Sequence, residues 1–241
     1  MTSVKDAACL PAQAVWRQVL ETKAVTFADR QDAGSRLADA LEHLRGQPVV
    51  VLALPRGGVP VAAEIAARLA APLDLLLVRK IGVPWQPELA MGAVVDGAEP
   101  IIVRNEDIIR LAGISQSQFE AVCQREVAEI ERRRRRYLAG RPPADVAGKV
   151  VIVVDDGIAT GATVRAALRG LAGRRPGRIV LAVPVAPPDT IIQFEALADE
   201  VICLAQPQHF AAIGAHYRDF RQLDDDEVIA VLAAHAQAPG R

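Results

Sequence analysis

One segment constrains this chain more than any other: an apolar run that ends in two carboxylates and continues into a loop of small and hydroxyl-bearing residues. Residues 151–163 read Val-Ile-Val-Val-Asp-Asp-Gly-Ile-Ala-Thr-Gly-Ala-Thr. The run is typical of a strand buried on both faces, and residues 161–173 are predicted to form the helix that follows. Because ligands bind beyond the carboxyl ends of parallel strands, the segment predicts a binding site in this loop.

The groups in this loop suit a ligand that carries both a phosphate and a sugar. Free backbone amides, the hydroxyls of Thr160 and Thr163 and the positive end of a helix dipole would hold one phosphate. Gly161 would let the backbone come close to it. The adjacent acids Asp155 and Asp156 would suit vicinal hydroxyls, since carboxylates accept hydrogen bonds from a diol. An ordinary turn with a helix cap is the alternative. The lysine that a Walker loop carries after its second glycine is absent.

Strand-sized apolar runs and helical patterns alternate along the rest of the chain. Further buried strands are predicted at residues 49–54, 73–78, 150–154, 178–183 and 200–204, with two short strands at 92–95 and 101–103. Helices are predicted at 29–44, 59–70, 105–111, 115–138, 188–198 and 225–235, and residues 82–92, with two prolines and no clear period, are predicted to be a loop. This alternation indicates an α/β fold with a mostly parallel sheet flanked by helices. Residues 1–24 are predicted to form an N-terminal arm ahead of one domain over 25–241.

Composition narrows the classes of partner. Lys and Arg number 28 and Asp and Glu 29, so the net charge of −1 gives no general attraction for nucleic acid or an anionic membrane. The three cysteines are far apart and the four histidines lack metal-ligand spacing, which argues against a disulfide framework or a zinc site and favours a reducing, cytoplasmic setting. The longest apolar runs are too short to span a membrane, and no signal peptide is recognisable.

The strand, acid pair and Thr-Gly-x-Thr loop at 151–163 resemble the signature by which type I phosphoribosyltransferases bind 5-phosphoribosyl-1-pyrophosphate (PRPP). Over residues 49–204 the chain is similar to bacterial members of that family whose acceptor is unassigned. The resemblance implies a type I core with a small hood, PRPP and a small-molecule acceptor as partners, and Mg²⁺ as cofactor. It implies that Asp155 and Asp156 hold the ribose hydroxyls and contact Mg²⁺ through water. The residues that would bind the 5-phosphate are Ala159, Thr160, Gly161, Ala162 and Thr163.

Two further segments carry the resemblance. Residues 54–59 are similar to the family's diphosphate loop, in which Gly57 and Gly58 would turn amides toward the leaving group and Arg56 would contact phosphate. An ordinary glycine turn is the alternative. Arg79 and Lys80 would open a mobile loop at 82–92 and neutralise diphosphate, or else form a solvated pair. The predicted catalytic residues are Arg56, Lys80, Asp155 and Asp156, with Glu88 as a candidate acid or base.

The acceptor is less well defined by the sequence. Ala159 occupies the position where the family's 6-oxopurine enzymes carry a catalytic Asp, which argues against a 6-oxopurine and leaves adenine-like and non-purine acceptors open. The candidate hood segments are residues 82–92 and 207–220, whose aromatic residues would either stack on a flat ring or pack the chain onto the sheet. Those aromatic residues are Trp85, Phe210, Tyr217 and Phe220.

Five consecutive arginines, Arg132 to Arg136, leave an alternative function open. On a helix they point all around the axis, so they are predicted to be solvated and paired with Glu126, Glu129 and Glu131. Some relatives on this fold are regulators, and a basic patch here would favour a protein that senses PRPP or a nucleotide without catalysis. Phosphoribosyl transfer to a nitrogen nucleophile, with release of diphosphate, is the favoured hypothesis, and the resemblance also implies a homodimer.

Overall fold

A computed structural model describes residues 26–97 and 99–236, so the N-terminal arm expected at residues 1–24 lies outside the described residues. Its centre is a five-stranded parallel sheet with the order β2-β1-β6-β7-β8. The sheet's strands are β1 (Val49–Ala53), β2 (Leu73–Leu75), β6 (Val150–Val154), β7 (Arg178–Val185) and β8 (Glu200–Ala205). The predicted α/β class with a mostly parallel sheet is confirmed.

Helices cover both faces of this sheet, so nearly every residue of its strands is buried. The helices are α1 (Arg30–Ala40), α2 (Gly58–Leu69), α3 (Glu106–Leu111), α4 (Gln116–Leu138), α5 (Ala162–Ala172), α6 (Pro188–Phe194) and α7 (Asp225–Ala236). Alternate residues of β1 enter two different cores: Val51 packs with α1, α2 and α7, and Leu52 packs with α5 and α6. No helix in the described part of the chain has both the length and the apolar character that crossing a bilayer requires.

A second sheet shows that the loop predicted at residues 82–92 was wrong. It is antiparallel and contains β3 (Val78–Val83), β4 (Gln86–Val95) and β5 (Ile101–Arg104). The hairpin is irregular: its register shifts at Gly82, where a Cβ would lie 2.4 Å from the Pro87 carbonyl oxygen. Glycine at the bulge and the prolines near the tip obscured the alternating pattern of a strand.

The strand predicted at residues 73–78 is likewise divided between the two sheets. β2 ends at Leu75, and the amide of Leu76 donates to the Ala53 carbonyl at the end of that pairing. The carbonyl of Leu77 then accepts from Asp96, at the base of the hairpin. One continuous apolar run therefore changes partner in the middle, which periodicity alone does not reveal.

The arginine run on α4 is only partly solvated. Arg132 and Arg133 pair with Glu129, as expected, but Glu126 binds Arg79 instead. Arg134 turns inward, where it contacts two buried carboxylates, those of Asp74 and Asp96. Arg136 contacts the α7 residues Asp225 and Asp226. The prediction of a solvated run was therefore wrong for Arg134, because buried acids distant in sequence lie beside it, whereas Arg136 is exposed as expected.

Candidate active site

Two loops meet at the centre of the parallel sheet. β1 and β6 are neighbours, with Ala53 opposite Val154 at their carboxyl ends. The chain continues from β1 to β2 on one side and from β6 to β7 and β8 on the other, so the strand order reverses between β1 and β6. Such a reversal leaves a crevice beyond the strand ends, where α/β proteins bind ligands. The predicted diphosphate loop, residues 54–59, and the loop after β6 that contains the predicted phosphate-binding residues 159–163 both begin at this crevice.

Glycines allow the two loops to touch. A Cβ at Gly57 would lie 1.8 Å from a carboxylate oxygen of Asp156, and a Cβ at Gly58 would lie 2.6 Å from the Val154 carbonyl oxygen. Any other residue at either position would force one loop away from the other. The two motifs, about a hundred residues apart in sequence, therefore form one continuous surface.

The loop after β6 has the geometry of an anion site. Ala159 and Thr160 are exposed, and Ala162 and Thr163 are exposed in the first turn of α5. Gly161 precedes the helix in the left-handed conformation, with φ of 72°. The first amides of α5 have no partner within the helix and carry the positive end of its dipole. The five residues predicted to bind phosphate are thus placed together at a helix start.

The two acids differ in their surroundings. Asp156 is buried, and its Oδ2 accepts a hydrogen bond from Arg30 Nε at 2.8 Å within an ion pair. Its backbone carbonyl accepts from the Tyr217 hydroxyl at 2.6 Å. Asp155 is partly exposed, and its Oδ1 accepts from the Asp156 amide at 2.9 Å. The pair therefore has one buried residue and one that is partly exposed.

The same surroundings shift the pKa values of both acids. Removal of water from around the carboxyl raises the pKa of Asp155 well above its usual value, and the neighbouring Asp156 charge raises it further. Burial also raises the pKa of Asp156, although the hydrogen bond from Arg30 opposes this effect. A cation or hydroxyl groups bound at the pair would stabilise the ionised carboxylates.

These acids suit a magnesium ion that keeps most of its water. Their oxygens are the hard ligands that Mg²⁺ prefers, and it is usually bound by one or two carboxylates together with substrate phosphates and waters. Across residues 26–97 and 99–236, no group of three or more His, Cys, Asp or Glu residues could enclose a metal. The oxygens of the two adjacent carboxylates are donors of the kind that hold a hydrated ion shared with a ligand.

Arg56 lies at the junction of the diphosphate loop and α7. Its Nη1 donates to the Leu223 carbonyl at 2.7 Å, and its Nε lies 3.1 Å from Asp225. Asp225 also accepts from the Tyr137 hydroxyl at 2.6 Å, which helps to lower the pKa of this carboxyl. The assignment of Arg56 to phosphate stays a prediction, and a phosphate there would share the guanidinium with Asp225.

The other predicted basic residues belong to the hairpin, inside β3. Arg79 Nε lies 2.8 Å from Glu126 on α4. Lys80 Nζ lies 2.9 Å from Glu88 of β4, whose side chain is 94% exposed. An ion pair so exposed to water is weak, so Lys80 can exchange its partner readily. Glu88, the candidate acid or base, is thus the counterion of Lys80 on the hairpin.

The segment at 207–220 packs onto the phosphate loop. Ile213 occupies the space beside Gly157, where a Cβ would lie 2.6 Å from its Cγ2. Tyr217 is buried against Phe27, and Phe220 lies beneath the Arg30 guanidinium, 4.0 Å from carbon to ring centroid. These two aromatic residues therefore pack the segment onto the protein. Phe210 stacks on His216, and Trp85, at the hairpin tip, is 61% exposed.

The chain is similar in sequence to a known protein family. Residues 26–219 match the sequence profile of the phosphoribosyl transferase domain. The chain belongs to the phosphoribosyl transferase family. Proteins from two strains of Mycobacterium tuberculosis, each named "Putative phosphoribosyl transferase", are 48% identical to it over 206 residues. That alignment covers 86% of this chain and 46% of each relative, so the chain spans about half the length of the curated relatives it matches.

A solved structure extends the match to three dimensions. The crystal structure of TT1426 from Thermus thermophilus is 45% identical in sequence, with a TM-score of 0.77. The superposition covers 87% of this chain and 99% of that one. The arrangement of the sheet, the hairpin and the loops therefore has a counterpart in a homologous protein.

The sequence prediction did not include Arg30, and it gave Tyr217 only as an aromatic residue of the candidate hood, yet both reach the candidate site from the two ends of the described chain. Arg30 comes from the start of α1 and Tyr217 from the segment after β8, yet both bond to Asp156. Neither lies in a motif. Arg30 stands out only because it is a charged residue that is 8% exposed, which no sequence pattern could indicate.

Proposed function

We propose that this domain transfers the 5-phosphoribosyl group of PRPP to a nitrogen nucleophile, with release of diphosphate. One observation carries the proposal: the two glycine-bearing loops touch at the point where the strand order reverses, and the acid pair lies between them. On that surface, backbone amides at each end, one set from each loop, could bind a phosphate group. The two carboxylates lie in the middle. PRPP has the same order of groups, since its ribose lies between the 5-phosphate and the diphosphate.

Each part of the donor has a proposed partner. The hydroxyls of Thr160 and Thr163 and the first amides of α5 would bind the 5-phosphate. Asp155, partly exposed beside the crevice, would accept hydrogen bonds from the ribose hydroxyls. The amides at Gly57 and Gly58 would face the diphosphate.

In the proposed reaction the acceptor's nitrogen lone pair attacks C1 of the ribose. The bond from C1 to the diphosphate oxygen breaks, its electron pair leaves with the diphosphate, and a proton on the acceptor nitrogen is released. Bound Mg²⁺ would neutralise charge on the diphosphate and ribose oxygens. Preorganised amides, together with Arg56 and Lys80, would stabilise the negative charge that grows on the leaving group. Each of these two side chains would exchange a carboxylate, Asp225 or Glu88, for phosphate.

The proposed acceptor is a nucleobase-like ring of the adenine or non-purine type. Ala159 is exposed in the phosphate loop and carries no group that could remove a proton from a 6-oxopurine. The segment 207–220, held on the loop by Ile213, would form the hood over the acceptor. Phe210 and His216 are the stacked rings of that segment.

The test is diphosphate release from PRPP and Mg²⁺ in the presence of a panel of purine and pyrimidine bases. Release that depends on one base supports the proposal, and the double variant Asp155→Asn/Asp156→Asn is expected to lose both release and PRPP binding. Calorimetry showing undiminished PRPP affinity in that variant would contradict the site assignment. Tight PRPP binding by the unmodified protein without release for any base would favour a PRPP-sensing role.

A further inference from the structure

We propose that Arg30 is a positioning residue that holds the Asp156 carboxylate against the diphosphate loop and leaves Asp155 as the carboxylate that binds ribose. The inference rests on the proposed function and deepens it. It assigns different roles to two acids that the sequence motif treats as equivalent. It also gives a role in the site to a residue outside every motif.

The first support is the position of the Asp156 side chain. Its Oδ2 accepts the hydrogen bond from Arg30 on one side and fills the space where Gly57 would carry a Cβ on the other. The side chain is only 12% exposed. An oxygen enclosed in this way supports the loop at Gly57 from beneath and has little surface left for a ribose hydroxyl.

The second support is that Arg30 is itself fixed by three contacts from two separate segments. Besides the bond to Asp156, its Nη1 donates to the Arg221 carbonyl at 3.0 Å, and its guanidinium lies over the Phe220 ring. Its side chain is 10% exposed. A guanidinium has a planar set of donors, so contacts on its edge and face together fix its orientation. Arg30 therefore presents Nε to Asp156 in one geometry.

Energetics also favour a geometric role. A buried ion pair loses so much hydration that it is often no more stabilising than apolar side chains of the same volume. Stability alone therefore does not account for a pair so well enclosed. What the pair does provide is a fixed separation between the loop that follows β1 and the loop that follows β6.

Asp155 has the complementary environment. Its Oδ1 accepts a hydrogen bond from the amide of Asp156, and its carboxyl also interacts with the Asp156 side chain. Asp155 is the more exposed residue of the pair, and for this reason the ribose hydroxyl is assigned to it.

Three probes separate the roles by calorimetry in the presence of Mg²⁺: PRPP, ribose 5-phosphate and inorganic diphosphate. Arg30→Gln is expected to weaken PRPP and diphosphate about tenfold or more, since a charge-assisted contact is lost, and to leave ribose 5-phosphate unchanged. Asp155→Asn is expected to weaken PRPP and ribose 5-phosphate but not diphosphate. Gly57→Ala, which displaces Asp156 from the other side, is expected to reproduce the Arg30→Gln pattern.

Controls keep the outcomes distinct. Arg36→Gln removes an exposed arginine of the same helix, one that pairs with Asp32, and should change no affinity. Arg30→Lys, which retains a charge near Asp156, should retain more diphosphate affinity than Arg30→Gln. Adding Asp156→Asn to Arg30→Gln should weaken diphosphate no further, because both changes break one contact.

The inference is overturned if Arg30→Gln weakens ribose 5-phosphate and diphosphate equally, or weakens neither. If Arg30→Gln does not fold, the inference is tested by Gly57→Ala and Asp155→Asn alone. Identical changes in the three affinities for these two variants would overturn it. If the unmodified protein binds none of the three probes, the proposed function itself has failed. That result removes the donor assignment and this inference with it.

Discussion

Three glycines of the candidate site stand at positions where a neighbouring group leaves no room for a side chain. Gly57 and Gly58 let the two loops touch, and Gly161 admits the ring of Phe194 beneath the phosphate loop. The sequence motif identified all three positions. It could not identify the groups they face, because Asp156 and Phe194 come from other parts of the chain. The glycines can be read from the local sequence, whereas the groups that contact them depend on the tertiary structure.

We predict that Gly161→Ala destabilises the protein and weakens PRPP binding. An alanine there would have the strained left-handed backbone, and its Cβ would lie 2.6 Å from the Phe194 ring. The matched control is Gly148→Ala, which has φ of 67° but no atom within 4 Å of the added carbon. Gly161→Ala should lower the free energy of unfolding by about 1–3 kcal/mol more than the control does. Denaturant unfolding measures this difference, and equal effects would contradict the packing argument.

Lys80 allows a second test at a single residue. Lys80→Ala should lower the rate of diphosphate release roughly a hundredfold, as for loss of one donor to a developing anion, and change PRPP affinity less. Glu88→Gln removes the partner of Lys80 but keeps the lysine, so it should not slow release. Single-turnover rates and calorimetry make the comparison. A turnover unchanged by Lys80→Ala would remove its catalytic role.

Among the elements, the buried parallel strands were the most predictable and the hairpin the least. β1 and β6 are continuous apolar runs between turn residues, a pattern with few alternatives. The β3–β4 hairpin contains Gly82, Pro84 and Pro87, residues that ordinarily interrupt strands, and it accommodates them through a bulge and a short tip. Local sequence preference and tertiary pairing disagree there, and the pairing prevails.

On helix α4, the arginine run contains one residue that the fold depends on. Arg134 pairs with the buried acids Asp74, in β2, and Asp96, which directly follows β4. We predict that Arg134→Ala lowers the free energy of unfolding by about 3–5 kcal/mol, because it leaves buried carboxylates without their cation. Arg135 is the next residue and is exposed, so Arg135→Ala should change the free energy of unfolding by no more than about 0.5 kcal/mol. Urea unfolding of the two variants compares them, and similar losses would refute the buried role.

In the whole molecule, segments from both ends of the described chain converge on the central loops. Phe27 pairs with Tyr217, Arg30 and Tyr217 both reach Asp156, and Asp225 binds Arg56. None of these contacts could be predicted, because they join residues distant in sequence through the packing of other elements. The sequence thus located the loops at the site but not the residues that support them.

A ligand held by several such segments should stabilise the whole domain. With Mg²⁺ and PRPP at about a hundred times its dissociation constant, binding adds about 2.7 kcal/mol. We therefore predict a rise in Tm of about 5–10 °C for a chain of this length. Chelating the metal, or introducing Asp155→Asn/Asp156→Asn, should abolish the rise. Differential scanning calorimetry measures it, with Mg²⁺ alone as the control, and a rise that persists in the double variant would place the donor elsewhere.

Asp225 connects the diphosphate loop to the last helix of the described chain. Its carboxylate contacts Arg56, the Tyr137 hydroxyl and Arg136. A diphosphate group that binds Arg56 would therefore compete with Asp225 for the same guanidinium. Coupling of this kind is reciprocal, so donor binding would weaken the attachment of α7, and a partner that draws α7 aside would favour the donor. Helix α7 and the proposed donor would therefore compete for the Arg56 side chain.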